Sequence, residues 1–147
     1  FSNEFILNVD RETEYFVRKN LKVFIDEAIL IPDPTIPDTY NITSTGFRKL
    51  KFFAAFLKIY FESYSVVLKF FMQHHQNSIS QKERIKKIQA VGEQMYKNKE
   101  IEQRESLSKI NYINAEKFFT SNGVKTSGDK EKIDYFSDLI QKNLGYL

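Results

Sequence analysis

His74 and His75 are the two histidines of the chain, and they are the side chains best suited to move a proton or bind a metal near neutral pH. Adjacent residues on a helix point about 100° apart, so these two imidazoles cannot both address one reaction centre. At the end of a long helix they suit its negative terminus, and a structural role is expected for both. No glycine-rich phosphate loop, HExxH or GxSxG pattern occurs. Glu100 and Glu102 have the spacing of surface carboxylates rather than of an acid and base pair. The absence of cysteine excludes disulfides and thiolate metal sites. The expectation is therefore no catalytic residue, no cofactor and no metal site in this chain.

Charge is the other chemistry the sequence offers. Between Lys82 and Lys99 six bases oppose two acids, while the whole chain carries a net charge of only +3. Lys82, Arg84, Lys86 and Lys87 are the candidate contacts for an anionic membrane surface or a partner; a solvated helix face is the simpler use of the same residues. Nucleic acid is not expected as a partner. A recognition helix must present cationic and amide side chains, and the segment from Glu105 to Ser121 holds only Lys109 and Lys117 as bases.

The elements that position these groups are helical. From Phe47 to His75 the chain reads as one long helix on which Lys51, Ala55, Lys58, Glu62, Ser65, Lys69 and Gln73 share an arc of roughly 80° at 100° per residue. The rest of the circumference is apolar. Phe52, Phe56, Ile59, Val66 and Phe70 flank the stripe on one side, and Leu57, Phe61, Tyr64, Leu68 and Phe71 on the other. Such a helix must bury nearly all of itself in a bundle or share its apolar surface with something outside the chain. Lys58, Glu62 and Lys69 interrupt its hydrophobic run, so a membrane-spanning helix is not expected.

Pro32, Pro34 and Pro37 break the chain before this helix. An earlier helix is expected from Asp10 to Leu30, with Val17, Leu21, Phe24, Ile25 and Ala28 as its apolar positions. After the long helix, Asn77 and Ser78 favour a turn. Ser80 and Glu83 then have the spacing of a capping box for a third helix carrying Ile85, Ile88, Val91 and Met95, with a kink or stop possible at Gly92. A fourth helix, starting between Lys99 and Ser106, places Leu107, Ile110, Asn111, Asn114, Ala115 and Phe118 on one face and stops at Asn122-Gly123. Asp129 caps a fifth, with Ile133, Phe136, Ile140 and Leu144 as its stripe and Gly145 at its end. No segment alternates as a strand. The expected fold is all-α, a single bundle domain of about five helices spanning residues 1–147. Its 147 residues include fourteen Phe and eight Tyr, enough for an aromatic interior around the long helix.

The segment KFFAAFLKIYFESYSVVLKFFM, Lys51 to Met72, resembles the C-terminal region of bacterial glycerol-3-phosphate O-acyltransferases. The likeness continues in GEQMYKNKEI at Gly92 to Ile101, in ESLSKINYINAEKFF at Glu105 to Phe119, and in Asn122-Gly123-Val124. EYFVRKNLKVFIDEAI, Glu14 to Ile29, fits the preceding helix more loosely. The resemblance implies a parent protein that transfers an acyl group from a thioester to the sn-1 hydroxyl of glycerol 3-phosphate in phospholipid synthesis. The family's active site uses an H-x4-D motif; Ile79 and Ser80 stand where its aspartate would follow His74 or His75. The resemblance therefore implies a catalytic domain upstream of Phe1, with this chain as a non-catalytic C-terminal helical domain that packs on it or helps seat it at the inner face of the cell membrane. Without a signal-peptide pattern or cysteine, a cytoplasmic setting is expected. The alternative is a helical protein-interaction module with no enzymatic parent.

Overall fold

The computed structural model describes residues 13–74 and 79–147. They fall into two compact units that divide between Ala55 and Phe56. Five helices carry most of the described backbone: α1 (Thr13–Asp26), α2 (Ser44–Gln73), α3 (Gln81–Lys97), α4 (Lys109–Ser121) and α5 (Lys130–Leu144). The helical fold class read from the sequence is thus present, joined by one small hairpin. No helix among the described residues is long and apolar enough to cross a membrane.

In the first unit α1 ends at Asp26, earlier than its apolar spacing suggests. Ala28 takes a left-handed φ of 52°, and the Ile29 amide turns back to the Phe24 carbonyl, which closes the helix. Leu30–Pro32 (β1) and Tyr40–Ile42 (β2) then pair antiparallel, with Leu30 opposite Ile42. The strands escape the sequence pattern because three residues are too few to alternate visibly. Proline still governs the segment, since Pro32 ends β1, while Pro34 and Pro37 lie in the turn. Asp33 organises that turn by accepting from the Thr35 and Ile36 amides and from Asn41 Nδ2. Led by the Thr35 amide, these donors hold its carboxyl well below the usual carboxylate range.

The entry to α2 is fixed by Thr43. Its hydroxyl accepts from the Gly46 amide at 2.8 Å and donates to the Ala28 carbonyl at 2.6 Å. Gly46 is buried against Ile29, where an added Cβ would stand 2.1 Å from a carbonyl oxygen. Glu27, at the unfavourable end of α1, is paired with Lys49 at 2.9 Å.

The second unit holds the hydrophobic core. Val66, Val67, Phe70 and Phe71 of α2 are buried with Ile85 and Ile88 of α3, Tyr112, Ala115 and Phe119 of α4, and Ile133 and Ile140 of α5. α3 begins with the capping box expected of Ser80 and Glu83. It runs through Gly92 without stopping, because that glycine serves packing rather than chain reversal. An added Cβ there would meet the Tyr112 hydroxyl at 2.2 Å. A 3-10 turn, Arg104–Leu107, precedes α4, which starts only at Lys109 behind the Ser108 cap.

The inward face of α4 also differs from expectation. Tyr112, Ala115, Glu116 and Phe119 point inward, while Ile110 remains 70% exposed. Glu116 can face inward because Arg84 of α3 meets it at 2.7 Å. Asn122 caps α4, and Gly123 takes φ 83° as a left-handed stop. Asp129 opens α5 by position, but its carboxylate accepts from the Lys125 and Thr126 amides instead of from the helix. The α5 stripe is as expected, with Ile133 and Ile140 buried and Phe136 and Leu144 packed against the core.

Among the described residues the Tyr112 hydroxyl is buried without a hydrogen-bond partner, and burial pushes its pKa up. Gly92→Ala should therefore lower stability by about 1 to 2 kcal/mol through overpacking, despite its better helix propensity. Tyr112→Phe in the same chain should recover most of that loss. Urea unfolding of the two single variants and the double variant reads the coupling; a stabilised Gly92→Ala would mean that the Tyr112 ring swings aside freely.

Candidate functional site

His74 follows the last turn of α2, where its Nδ1 donates to the Phe70 carbonyl at 2.9 Å. Its ring stacks on Phe70 with centroids 4.2 Å apart, and its own carbonyl accepts from the Ser127 amide. The imidazole is thus engaged in finishing the helix. His75, with Asn77 and Ser78, lies outside the described residues, as does the Asp10 cap. Ile79 packs against the core and Ser80 caps α3. The two positions at which an H-x4-D aspartate would stand therefore serve packing and capping.

The polar stripe of α2 does not face water as a plain solvated edge. Residues from Glu100 to Ser106 are drawn against it, with Lys69 bridging to Glu100 and Lys58 reaching Glu102 at 2.6 Å. Lys69, followed by Asn98, holds the Glu100 carboxyl below its ordinary range. Glu62 is 2% exposed. Its carboxylate accepts from the Glu102 and Gln103 amides, each at 2.9 Å, and from Ser106 Oγ at 2.7 Å. Ser63 adds a bond to the Ser106 carbonyl at 2.9 Å. The carboxylate is a staple: three donors satisfy it, and it satisfies two amides at the start of a 3-10 turn.

Beside the Lys69 bridge lies a cleft of about 250 Å³, lined in part by polar Ser65, Lys69, Glu100 and Ser137 and by apolar Leu68 and Met95. Its amine is already compensated by a carboxylate, so the cleft offers no uncompensated cation to an anionic substrate. Among the described residues no group of three or more His, Asp and Glu is placed to hold a metal ion.

Of the four basic candidates, Lys82, Lys86 and Lys87 are exposed on α3. Arg84 is only half-exposed: it donates to Glu116 and to the Ile79 carbonyl. It ties α3 to α4, so the three lysines form the accessible part of the cluster.

The long helix also splits differently from its circumference. In its C-terminal half Val66, Val67, Leu68, Phe70 and Phe71 are buried, whereas Phe47, Phe52, Phe53 and Phe56 towards its start are all exposed. Phe52 and Phe56 lie on the flank expected to be covered within a bundle or shared with something outside the chain. What sets this end of the helix apart in the sequence is charge, because Arg48, Lys49 and Lys51 have no acidic residue beside them from Ser44 to Ala55.

The sequence matches the glycerol-3-phosphate acyltransferase C-terminal region over residues 1–128. That span takes in α1 to α4 and stops just short of α5. No curated protein and no solved structure matches the chain.

Proposed function

The chain belongs to the family of glycerol-3-phosphate acyltransferase C-terminal regions, and we propose that it is a non-catalytic helical domain that packs on the acyltransferase domain of its parent protein. The parent reaction is transfer of an acyl group from a thioester to the sn-1 hydroxyl of glycerol 3-phosphate. The observation that carries this reading is the family match together with the surroundings of His74. A general base must reach the substrate hydroxyl and be oriented by a third group. His74 instead directs Nδ1 to a main-chain carbonyl and stacks its ring on Phe70. The residues at the two relevant spacings, Ile79 and Ser80, cannot supply the carboxylate.

The purified chain should form no lysophosphatidate from an acyl thioester and glycerol 3-phosphate, and it should co-elute with a separately expressed upstream acyltransferase domain on size exclusion. Acyl transfer by the chain alone, lost in His74→Ala, would overturn the non-catalytic reading. An upstream coding sequence with no H-x4-D segment would favour an interaction module without an enzymatic parent.

A further inference from the structure

We propose that the first three turns of α2 are the seat of this chain on an anionic phospholipid surface, with Phe47 and Phe52 entering the interface and Arg48 and Lys51 meeting the headgroup phosphates. The reading above supplies the setting, because an acylated glycerol phosphate is itself an anionic amphiphile that partitions into bilayers. Phe47, Phe52 and Phe53 are 61%, 74% and 53% exposed, while Leu50 and Ala54 are half-buried. At 100° per residue Phe47, Lys51, Arg48 and Phe52 follow one another around an arc of roughly 140°. Two cations are therefore bracketed by two exposed rings on one face.

The charge of this face is of one sign. α2 has no acidic residue in its first turn, and none from Ser44 to Ala55. Lys49 is turned to Glu27, whereas neither Arg48 nor Lys51 has an ion pair among the described residues. A protein partner would have to bring carboxylates to this face, because lysine is depleted from interface centres and burying an unpaired charge is costly. A bilayer interface suits it. Aromatic rings settle at headgroup depth while arginine and lysine extend to the phosphates.

The chain has no tryptophan, so Phe52→Trp gives one reporter at the proposed contact. Added to phosphatidylglycerol vesicles, the F52W chain should show a blue-shifted emission that brominated lipid quenches; phosphatidylcholine vesicles should leave it unchanged. In co-sedimentation at low salt each cation near the surface is worth about fivefold in partition, so R48Q/K51Q should weaken binding about 30-fold. F47S/F52S should remove the part that survives high salt, and these exposed positions allow the fold to be checked by circular dichroism. K82Q/K86Q/K87Q should bind nearly as the parent does.

The proposal is overturned if the parent ignores phosphatidylglycerol vesicles at low salt, or if both α2 variants sediment as the parent does. It is also overturned if the aromatic variant keeps its vesicle binding but no longer co-elutes with the acyltransferase domain, which would assign this face to a protein partner. Vesicle binding without co-elution would leave the α2 assignment standing and remove the packing role proposed above.

Discussion

Glu62→Ala should lower the unfolding free energy by about 4 kcal/mol, since it strips three charged hydrogen bonds worth roughly 1.5 to 3 kcal/mol each, the one to Ser106 fully buried and the two amide bonds partly so. Their donors are the Glu102 and Gln103 amides and Ser106 Oγ. The methyl that replaces the carboxylate also leaves a gap against α2. Glu62→Gln should lose less, because one amide oxygen can still accept. Ser106→Ala should cost least of the three, roughly 1 kcal/mol, because it removes the hydroxyl and leaves the two main-chain bonds in place. Urea midpoints order the three variants. If Glu62→Ala unfolds within 0.5 kcal/mol of the parent by that measure, water replaces the carboxylate and the segment from Glu100 to Ser106 is not held by it.

Phe119→Ala should cost about 3 to 5 kcal/mol, the range for a buried phenylalanine whose cavity cannot collapse. Its ring is fully buried and touches four others, with centroids at 5.7 Å for Tyr64, 6.4 Å for Phe71 and 5.4 Å for both Phe118 and Phe136. These rings come from α2, α4 and α5, so removing the central one withdraws packing from three helices at once. Edge-to-face contacts add about 0.5 to 1.5 kcal/mol per pair beyond simple burial. Phe52→Ala is the matched control: the same atoms are deleted at a site 74% exposed, and the change should stay within about 0.5 kcal/mol. Equal losses at the two positions in urea melts would mean that α4 is not anchored by its aromatic cluster.

The contrast between these phenylalanines marks how far the sequence could be read. The Ser80 capping box, the Asn122-Gly123 stop and the α5 stripe all occur where the sequence places them. So does a helical class built around a long aromatic helix. Each of these depends on residues within one or two turns of one another: a side chain reaching an amide three positions on, a glycine free to take positive φ, or apolar residues repeating at 3.6. The candidate lysines of α3 were likewise legible as exposed positions, because charge on one side of an amphipathic helix specifies its wet face.

The rest was decided by segments far apart in the chain. α2 is apolar around so much of its circumference that its own sequence does not select which part is covered. Glu62 is buried because amides and a hydroxyl 40 to 44 residues later converge on it, and Lys58 and Lys69 find their carboxylates on the same distant segment. α4 turns Tyr112 and Phe119 inward, rather than Ile110, because Arg84 neutralises Glu116 and Gly92 makes room for the Tyr112 ring. Arg84, which looked like one more surface cation, is consumed by that pairing. Sequence alone specifies the helical class, the opening of α3, the stop of α4 and an aromatic interior, since those are matters of local hydrogen bonding and periodicity. Tertiary structure decided which faces are buried and which cations stay accessible, because desolvating a carboxylate or a guanidinium is tolerated only where a partner from elsewhere in the chain arrives to meet it.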